Sequence, residues 1–73
     1  MARQERRPVR MLRLKEVIYR TGLSRSTIYN KLQPSSPQYD PDFPEQVNIG
    51  GSAVAWIEEE LEQWLMVKCK KRN

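Results

Sequence analysis

A chain of 73 residues has room for one domain and a modest core. It contains no histidine and a single cysteine, Cys69, so the commonest general base and metal ligand are missing, as are an internal disulfide and a thiolate-rich metal site. No apolar run approaches the roughly 20 residues needed to span a bilayer, and no apolar stretch follows the charged N-terminus as in a secretory signal. A soluble, intracellular, non-enzymatic protein without cofactor or metal is expected.

The net charge of +4 conceals a strong polarity. Residues 1–39 hold nine Lys/Arg against two acids, a net +7. Residues 40–67 hold seven acids and no Lys/Arg, and residues 68–73 return four positive charges. A basic half of this kind suits a polyanion. An anionic membrane would require bulky apolar residues opposite the basic face, which the basic half lacks, so nucleic acid is the better partner.

In chain order, residues 1–9 (MARQERRPV) form an arginine-rich arm with almost no apolar content, expected to be flexible. The arm is either a solubilising tail or a contact to phosphates and the minor groove, with Arg6, Arg7, Arg10 and Arg13 as candidates. Met11 and Leu12 are expected to cover one end of the core. Leu14, Val17 and Ile18 then share one face of a short helix over residues 14–20. Thr21-Gly22 interrupts it, and a glycine there suits a left-handed cap. Leu23 folds back, and Ser24 is a preferred N-cap for a second helix over 24–32, which turns Ile28 and Leu32 inward. Its other face shows Arg25, Ser26, Thr27, Tyr29, Asn30 and Lys31. Two short helices joined by a glycine-bearing turn form either an ordinary helical hairpin or a helix-turn-helix, whose second helix enters the major groove.

Residues 33–44 (QPSSPQYDPDFP) carry four prolines and must be a stiff loop, not helix or central strand. Phe43 is expected to anchor its end, while Tyr39 either does likewise or lies exposed. Over residues 47–56, alternating apolar residues flank Gly50-Gly51, the signal for a β-hairpin with Val47, Ile49, Val54 and Trp56 inward. A hairpin after a helix-turn-helix is a wing. The glycines are required by the turn itself, and Asn48, Gly50, Gly51 and Ser52 are also the candidates for phosphate contact. Ile57, Leu61, Trp64, Leu65 and Lys68 form the inner stripe of a last helix over 57–70, followed by a basic tail, 71–73. Glu58–Glu60 and the lysines from Lys68 onward suit its dipole, and no standard N-cap precedes it. Trp56 and Trp64 are most simply core residues. Met66, Val67 and Cys69 fall partly off the stripe as a modest self-association face. Cys69 has no histidine partner and is not a nucleophile candidate.

Taken together, RLKEVIYRTGLSRSTIYNKL and FPEQVNIGGSAVAWIEEELEQWL resemble the AlpA family of small prophage-type regulators, the match covering roughly residues 10–66. It is carried by GLSRSTIY in the turn and second helix, by FP…V.IGG entering the wing and by VAW…E…WL leaving it. The resemblance implies a mostly α winged helix-turn-helix domain over residues 10–70, shared with excisionases and MerR-type activators. It implies a sequence-specific binder of double-stranded DNA from a phage or integrative element, bacterial, cytoplasmic and nucleoid-associated. Such a protein regulates an integrase gene, or bends attachment-site DNA as an excisionase, a directionality factor in DNA recombination. Carried over by motif, its DNA contacts fall on Ser24, Arg25, Ser26, Thr27, Tyr29, Asn30 and Lys31, with Gly51 and Ser52 at the wing. Arg25 either reads guanine or clamps a phosphate, and Asn30 is the natural adenine reader. A tyrosine-type integrase is a further partner, and a monomer binding DNA cooperatively in several copies is expected. The alternative is a protein-interaction module, an anti-repressor or integrase accessory factor, with only non-specific DNA affinity. The family's link between second helix and wing is usually short and basic or glycine-bearing, whereas here Gln33 to Asp42 is proline-rich and acidic at its end. Ile57 also stands where many members carry a polar residue.

Overall fold

The computed structural model describes residues 9–71. In chain order these form β1 (Met11–Leu12), α1 (Leu14–Thr21), α2 (Arg25–Leu32), β2 (Val47–Gly50), β3 (Ala53–Ile57) and α3 (Glu58–Lys70). The sheet is antiparallel throughout, in the order β1-β3-β2. With α1 and α2 joined by residues 22–24 and the β2–β3 hairpin beyond them, this is a winged helix-turn-helix.

The turn between α1 and α2 is built almost wholly from local chemistry. Gly22 takes the left-handed conformation (φ 74°) and its N–H donates to the Ile18 carbonyl at 2.8 Å. The Thr21 hydroxyl donates back to the Val17 carbonyl (2.8 Å) and accepts the Leu23 N–H (3.1 Å). Leu23 then packs on the core, and the Ser24 hydroxyl caps α2 by accepting the Thr27 N–H at 3.1 Å.

Nearly every segment contributes to one cluster. Leu12, Val17, Ile28, Phe43, Trp56, Leu61 and Trp64 are buried together, with Leu14, Ile18, Leu23, Leu32 and Leu65 packed around them. Ala55 is also fully buried. The Phe43 ring meets the Trp64 ring edge-on, centroids 4.9 Å apart, so the proline-rich loop does end in a core anchor. Tyr39 lies exposed. The Trp56 indole N–H is buried and finds no hydrogen-bond partner among the described residues.

Leu12 covers the core as expected, and the structure adds to that reading and corrects others. Met11–Leu12 is a strand, with Leu12 paired to Trp56 and Met11 to Ile57. A two-residue strand has no periodicity to read; it exists only through its partner. In the wing, Val47 pairs with Ala55 and Asn48 with Val54, but Gly50 pairs with Ala53, so Ile49 sits at a bulge and is 45% exposed. Ile49 therefore does not face inward, Val54 is only half-buried, and the hairpin turns at Gly51-Ser52. Helix bounds shift by one residue: α1 extends to Thr21, Ser24 is the cap outside α2, and Ile57 closes β3 instead of opening α3. No side chain caps the helix at Ile57. The first N–H of α3, that of Glu58, donates instead to the Arg10 carbonyl at 2.8 Å, an extension of the β1–β3 pairing.

Candidate nucleic-acid interface

Ile28 is fully buried, so the side of α2 opposite it must face solvent. Ser26 and Asn30, four residues apart, stand on that side; Arg25 and Tyr29 are exposed as well. Thr27 and Lys31 are half-buried. The Ser24 hydroxyl donates a hydrogen bond to the Thr27 hydroxyl oxygen at 2.9 Å, and Ser26 Oγ lies 3.4 Å from Ser24 Oγ. The three hydroxyls therefore form a small polar cluster at the start of the helix. Lys31 leans the other way, its ammonium 5.7 Å from the centre of the Trp64 ring. Of the six residues expected on the outer face, Arg25, Ser26, Tyr29 and Asn30 are exposed, as is the cap Ser24.

The proline-rich loop closes over the end of α2. The Asp40 N–H donates to the Lys31 carbonyl at 3.0 Å, which satisfies one of the open acceptors at the helix end. The Asp40 carboxylate accepts the Trp64 indole N–H (3.0 Å) and the Asp42 N–H (2.9 Å), and lies 3.6 Å from Lys68 Nζ. Partial burial pushes this carboxyl upward. The Trp64 and Asp42 hydrogen bonds, with the Lys68 and Lys31 charges, outweigh that and hold it below the ordinary value of 3.8. The same loop brings Gln38 to α2, where its side-chain oxygen accepts the Asn30 amide N–H at 3.1 Å.

Gln38 had no signal in the sequence, because a glutamine in a loop announces no contact eight residues back. Tyr19, on α1 at 87% exposure, is a second residue that sequence reasoning passed over. It lies one turn after Lys15, and a shallow groove between them is lined by Arg10, Leu12, Lys15, Glu16, Tyr19 and Arg20. The place of Tyr19 off the Leu14, Val17 and Ile18 stripe, between Lys15 and Arg20, was the signal available.

At the wing, the Asn48 side chain is occupied by the turn itself. Its oxygen accepts the Gly50 N–H (2.9 Å) and its amide donates to the Gly51 carbonyl (3.0 Å). Gly50 (φ 139°) and Gly51 (φ 54°) both need a positive φ, while Ser52 is exposed at the tip. The arm residues differ among themselves. Arg13 Nε donates to the Val54 carbonyl at 3.1 Å, which ties the start of α1 to the wing strand. Arg10 is exposed, with Nε 4.0 Å from Glu58. Arg6 and Arg7 lie outside the described residues.

A second polar clamp joins α1 to α3. Arg20 donates to Glu58 at 2.9 Å and to Glu62 at 3.1 Å, and the hydrogen bond to Glu58 raises its already high pKa further. Two of the acids in the negative segment thus serve the fold.

Comparison with known proteins agrees with this architecture. The family model described as "Prophage CP4-57 regulatory protein (AlpA)" matches residues 10–69. The chain belongs to the AlpA family. It is 49% identical over 65 residues to the DNA-binding transcriptional activator AlpA of Escherichia coli (strain K12), covering 89% of this chain and 93% of that protein. It is 43% identical over 56 residues to the protein ORF88 of Enterobacteria phage P4, covering 77% of this chain and 57% of that one. No solved structure matches it. Family membership places the chain among regulatory proteins and not among enzymes. Among the described residues, no helix is long and apolar enough to cross a membrane.

Proposed function

We propose that this member of the AlpA family is a sequence-specific DNA-binding regulator of a phage or integrative element, acting in the bacterial cytoplasm. The observation that carries the reading is the outer face of α2, where Ser26 and Asn30 stand opposite the buried Ile28 and Arg25 and Tyr29 are exposed beside them. A short helix with polar, hydrogen-bonding residues outward, a glycine turn before it and a wing beside it is suited to the major groove. The name of the Escherichia coli relative, a DNA-binding transcriptional activator, supports it.

In this reading Arg25 and Asn30 read base edges, Arg25 through a bidentate contact to guanine and Asn30 through a contact to adenine. Ser24, Ser26, Thr27, Tyr29 and Lys31 supply the remaining contacts, chiefly to phosphates. The main-chain N–H groups of Gly51 and Ser52, at the tip of the turn that Asn48 and Gly50 brace, meet the backbone from the wing. Arg6, Arg7, Arg10 and Arg13 supply charge from the arm. Phosphate contacts set affinity and salt dependence; base contacts set sequence. The protein acts on an integrase gene or at attachment sites, as a monomer that binds cooperatively in several copies, bends DNA and contacts a tyrosine-type integrase.

The test is a gel-shift titration on the host element's integrase-promoter and attachment-site DNA, with random DNA as competitor and at two salt concentrations. A discrete complex that resists competitor, followed by stepwise larger species, is expected. The Arg25→Ala variant should lose about 1–3 kcal/mol of binding and relax specificity. Equal loss on specific and random DNA would make Arg25 a phosphate contact. Binding that disappears equally on all DNA as salt rises would overturn sequence-specific recognition in favour of the interaction-module reading, for which the exposed Glu59 and Glu60 offer an acidic surface.

A further inference from the structure

The outward side of α3 has a pattern that the fold does not use. Leu61 and Trp64 are the buried residues of the helix. Met66, Glu59, Lys70, Gln63, Val67, Glu60 and Lys71, all exposed, follow one another around one continuous flank, from the side opposite Leu61 to the edge beside Trp64. Met66 is 59% exposed and Val67 48%. The helix dipole accounts for acids in the first turn and lysines in the last, but it does not distinguish one side of the helix from another. Nor do these charges pair within the helix. Glu59 and Glu60 have no base three or four residues on, and Lys70 and Lys71 no acid three or four residues back. Among the described residues none of the four joins an ion pair, whereas Glu58 and Glu62, on the flank toward α1, both bind Arg20.

We infer that this stripe pairs with the same stripe of a second copy, the two α3 helices running antiparallel about a two-fold axis near residue 65. Antiparallel pairing places Glu59 and Glu60 of each copy opposite Lys70 and Lys71 of the other, with Gln63, Met66 and Val67 of both along the middle. Such an interface is self-complementary, as a two-fold contact between identical chains must be. A parallel arrangement would set acids against acids and lysines against lysines, so the charge order also selects the direction. Two apolar side chains per copy fall well short of the roughly 1,000 Å² that a stable dimer buries, so the contact is weak in free solution. On DNA, where neighbouring copies are held at high effective concentration, it supplies cooperativity between adjacent molecules. That last step alone rests on the DNA-binding reading.

The experiment uses two full-length variants and no DNA, so its failure is distinct from a failure of that reading. One is Glu59→Lys with Glu60→Lys, all basic at both ends of the stripe; the other is Lys70→Glu with Lys71→Glu, all acidic. Circular dichroism first checks that each folds. In two-dimensional amide NMR the wild-type chain should show concentration-dependent shifts confined to residues 59–71, and neither variant alone should do so. Mixing the labelled basic variant with the unlabelled acidic one should restore those shifts, because each end of one then meets its opposite on the other. The affinity of either variant for itself should fall about tenfold or more, as four exposed contacts turn from attraction to repulsion. Wild-type shifts that do not vary with concentration would overturn the inference. So would mixing without effect, or shifts that fall on Lys15, Tyr19 and Arg25, the sign of a head-to-tail contact.

Discussion

The contact that fixes the far end of α2 is the Asp40 carboxylate, and Asp40→Asn tests it with almost no change in shape. In the wild type, one oxygen accepts the Trp64 indole N–H at 3.0 Å and the other accepts the Asp42 N–H at 2.9 Å, with Lys68 Nζ at 3.6 Å. An asparagine keeps one acceptor oxygen and turns its NH₂ toward the other donor. One charge-assisted bond is therefore lost and the survivor becomes a neutral one. Hydrogen bonds to charged groups contribute about 1.5–3 kcal/mol and neutral ones about 1 kcal/mol. Water replaces part of the loss at Asp42, which is exposed. The Lys68 pair adds only a few tenths of a kcal/mol, since the lysine is half-exposed. The expected cost is about 2 kcal/mol, a large part of the roughly 4–11 kcal/mol that holds a domain of this size, and a fall in Tm of about 8–16 °C. The pH dependence follows from the depressed carboxyl. Asp40 contributes its stability in full above its unfolded value of about 3.8 and loses it as pH falls through the lower folded value. The gap in Tm between wild type and variant should therefore narrow on acidification toward pH about 2. Thermal unfolding by circular dichroism across this range is the assay. A variant within about 0.3 kcal/mol of wild type at neutral pH, or a gap that does not narrow in acid, would refute the argument.

Other outcomes follow from the same contacts. Ser24→Ala removes the α2 cap and should cost about 1 kcal/mol by urea unfolding, whereas Ser24→Gly should cost only a few tenths. Arg20→Ala opens the clamp to Glu58 and Glu62; because those groups are partly exposed, the loss should be about 1 kcal/mol or less and should shrink at high salt. Gln38→Ala releases the Asn30 amide without touching the core, so it should leave stability within about 0.5 kcal/mol of wild type while changing affinity for specific DNA in gel shifts. If affinity is unchanged and only stability falls, the Asn30–Gln38 bond serves the loop and not recognition.

What could be read from the sequence is what local chemistry decides. Thr21, Gly22, Leu23 and Ser24 act on neighbours within four residues, so the turn and the α2 cap were both legible. Ile28 and Leu61 lie on periodic stripes, and both are buried. What escaped depends on partners distant in the chain. β1 is two residues long and exists only through Trp56 and Ile57; the start of α3 is satisfied by a carbonyl 48 residues earlier. The position of Ile49 turned on a bulge between Asn48 and Gly50, and one residue of slip reverses every side chain of a strand. Asp40 read only as the acidic end of a proline-rich loop. Its role required knowing that Trp64 and the end of α2 meet there. As for the candidate site, the exposure of Ser26 and Asn30 followed from the inward turn of Ile28 and that of Arg25 from its charge, but the engagement of Asn30 by Gln38 did not.

These contacts bear on how so small a domain can aim a recognition helix. Only Ile28 of α2 is fully buried, and burial of one such side chain contributes about 1.5–3 kcal/mol. With Leu32 packed beside it this holds the helix against the core, but apolar contact is non-directional and fixes rotation about the helix axis only loosely. The two ends supply the direction. At the start, Ser24 caps the helix and Leu23 pins the turn; at the end, the Lys31 carbonyl is bound by the Asp40 N–H while the Lys31 ammonium sits against Trp64. Asp40 is in turn fixed by Trp64, so the loop, α2 and α3 share one polar joint. A rotation of α2 sufficient to swing Ser26 and Asn30 out of line would break hydrogen bonds at both ends. The proline-rich loop, longer than a plain connection needs, is on this argument the brace that sets the angle of the exposed face.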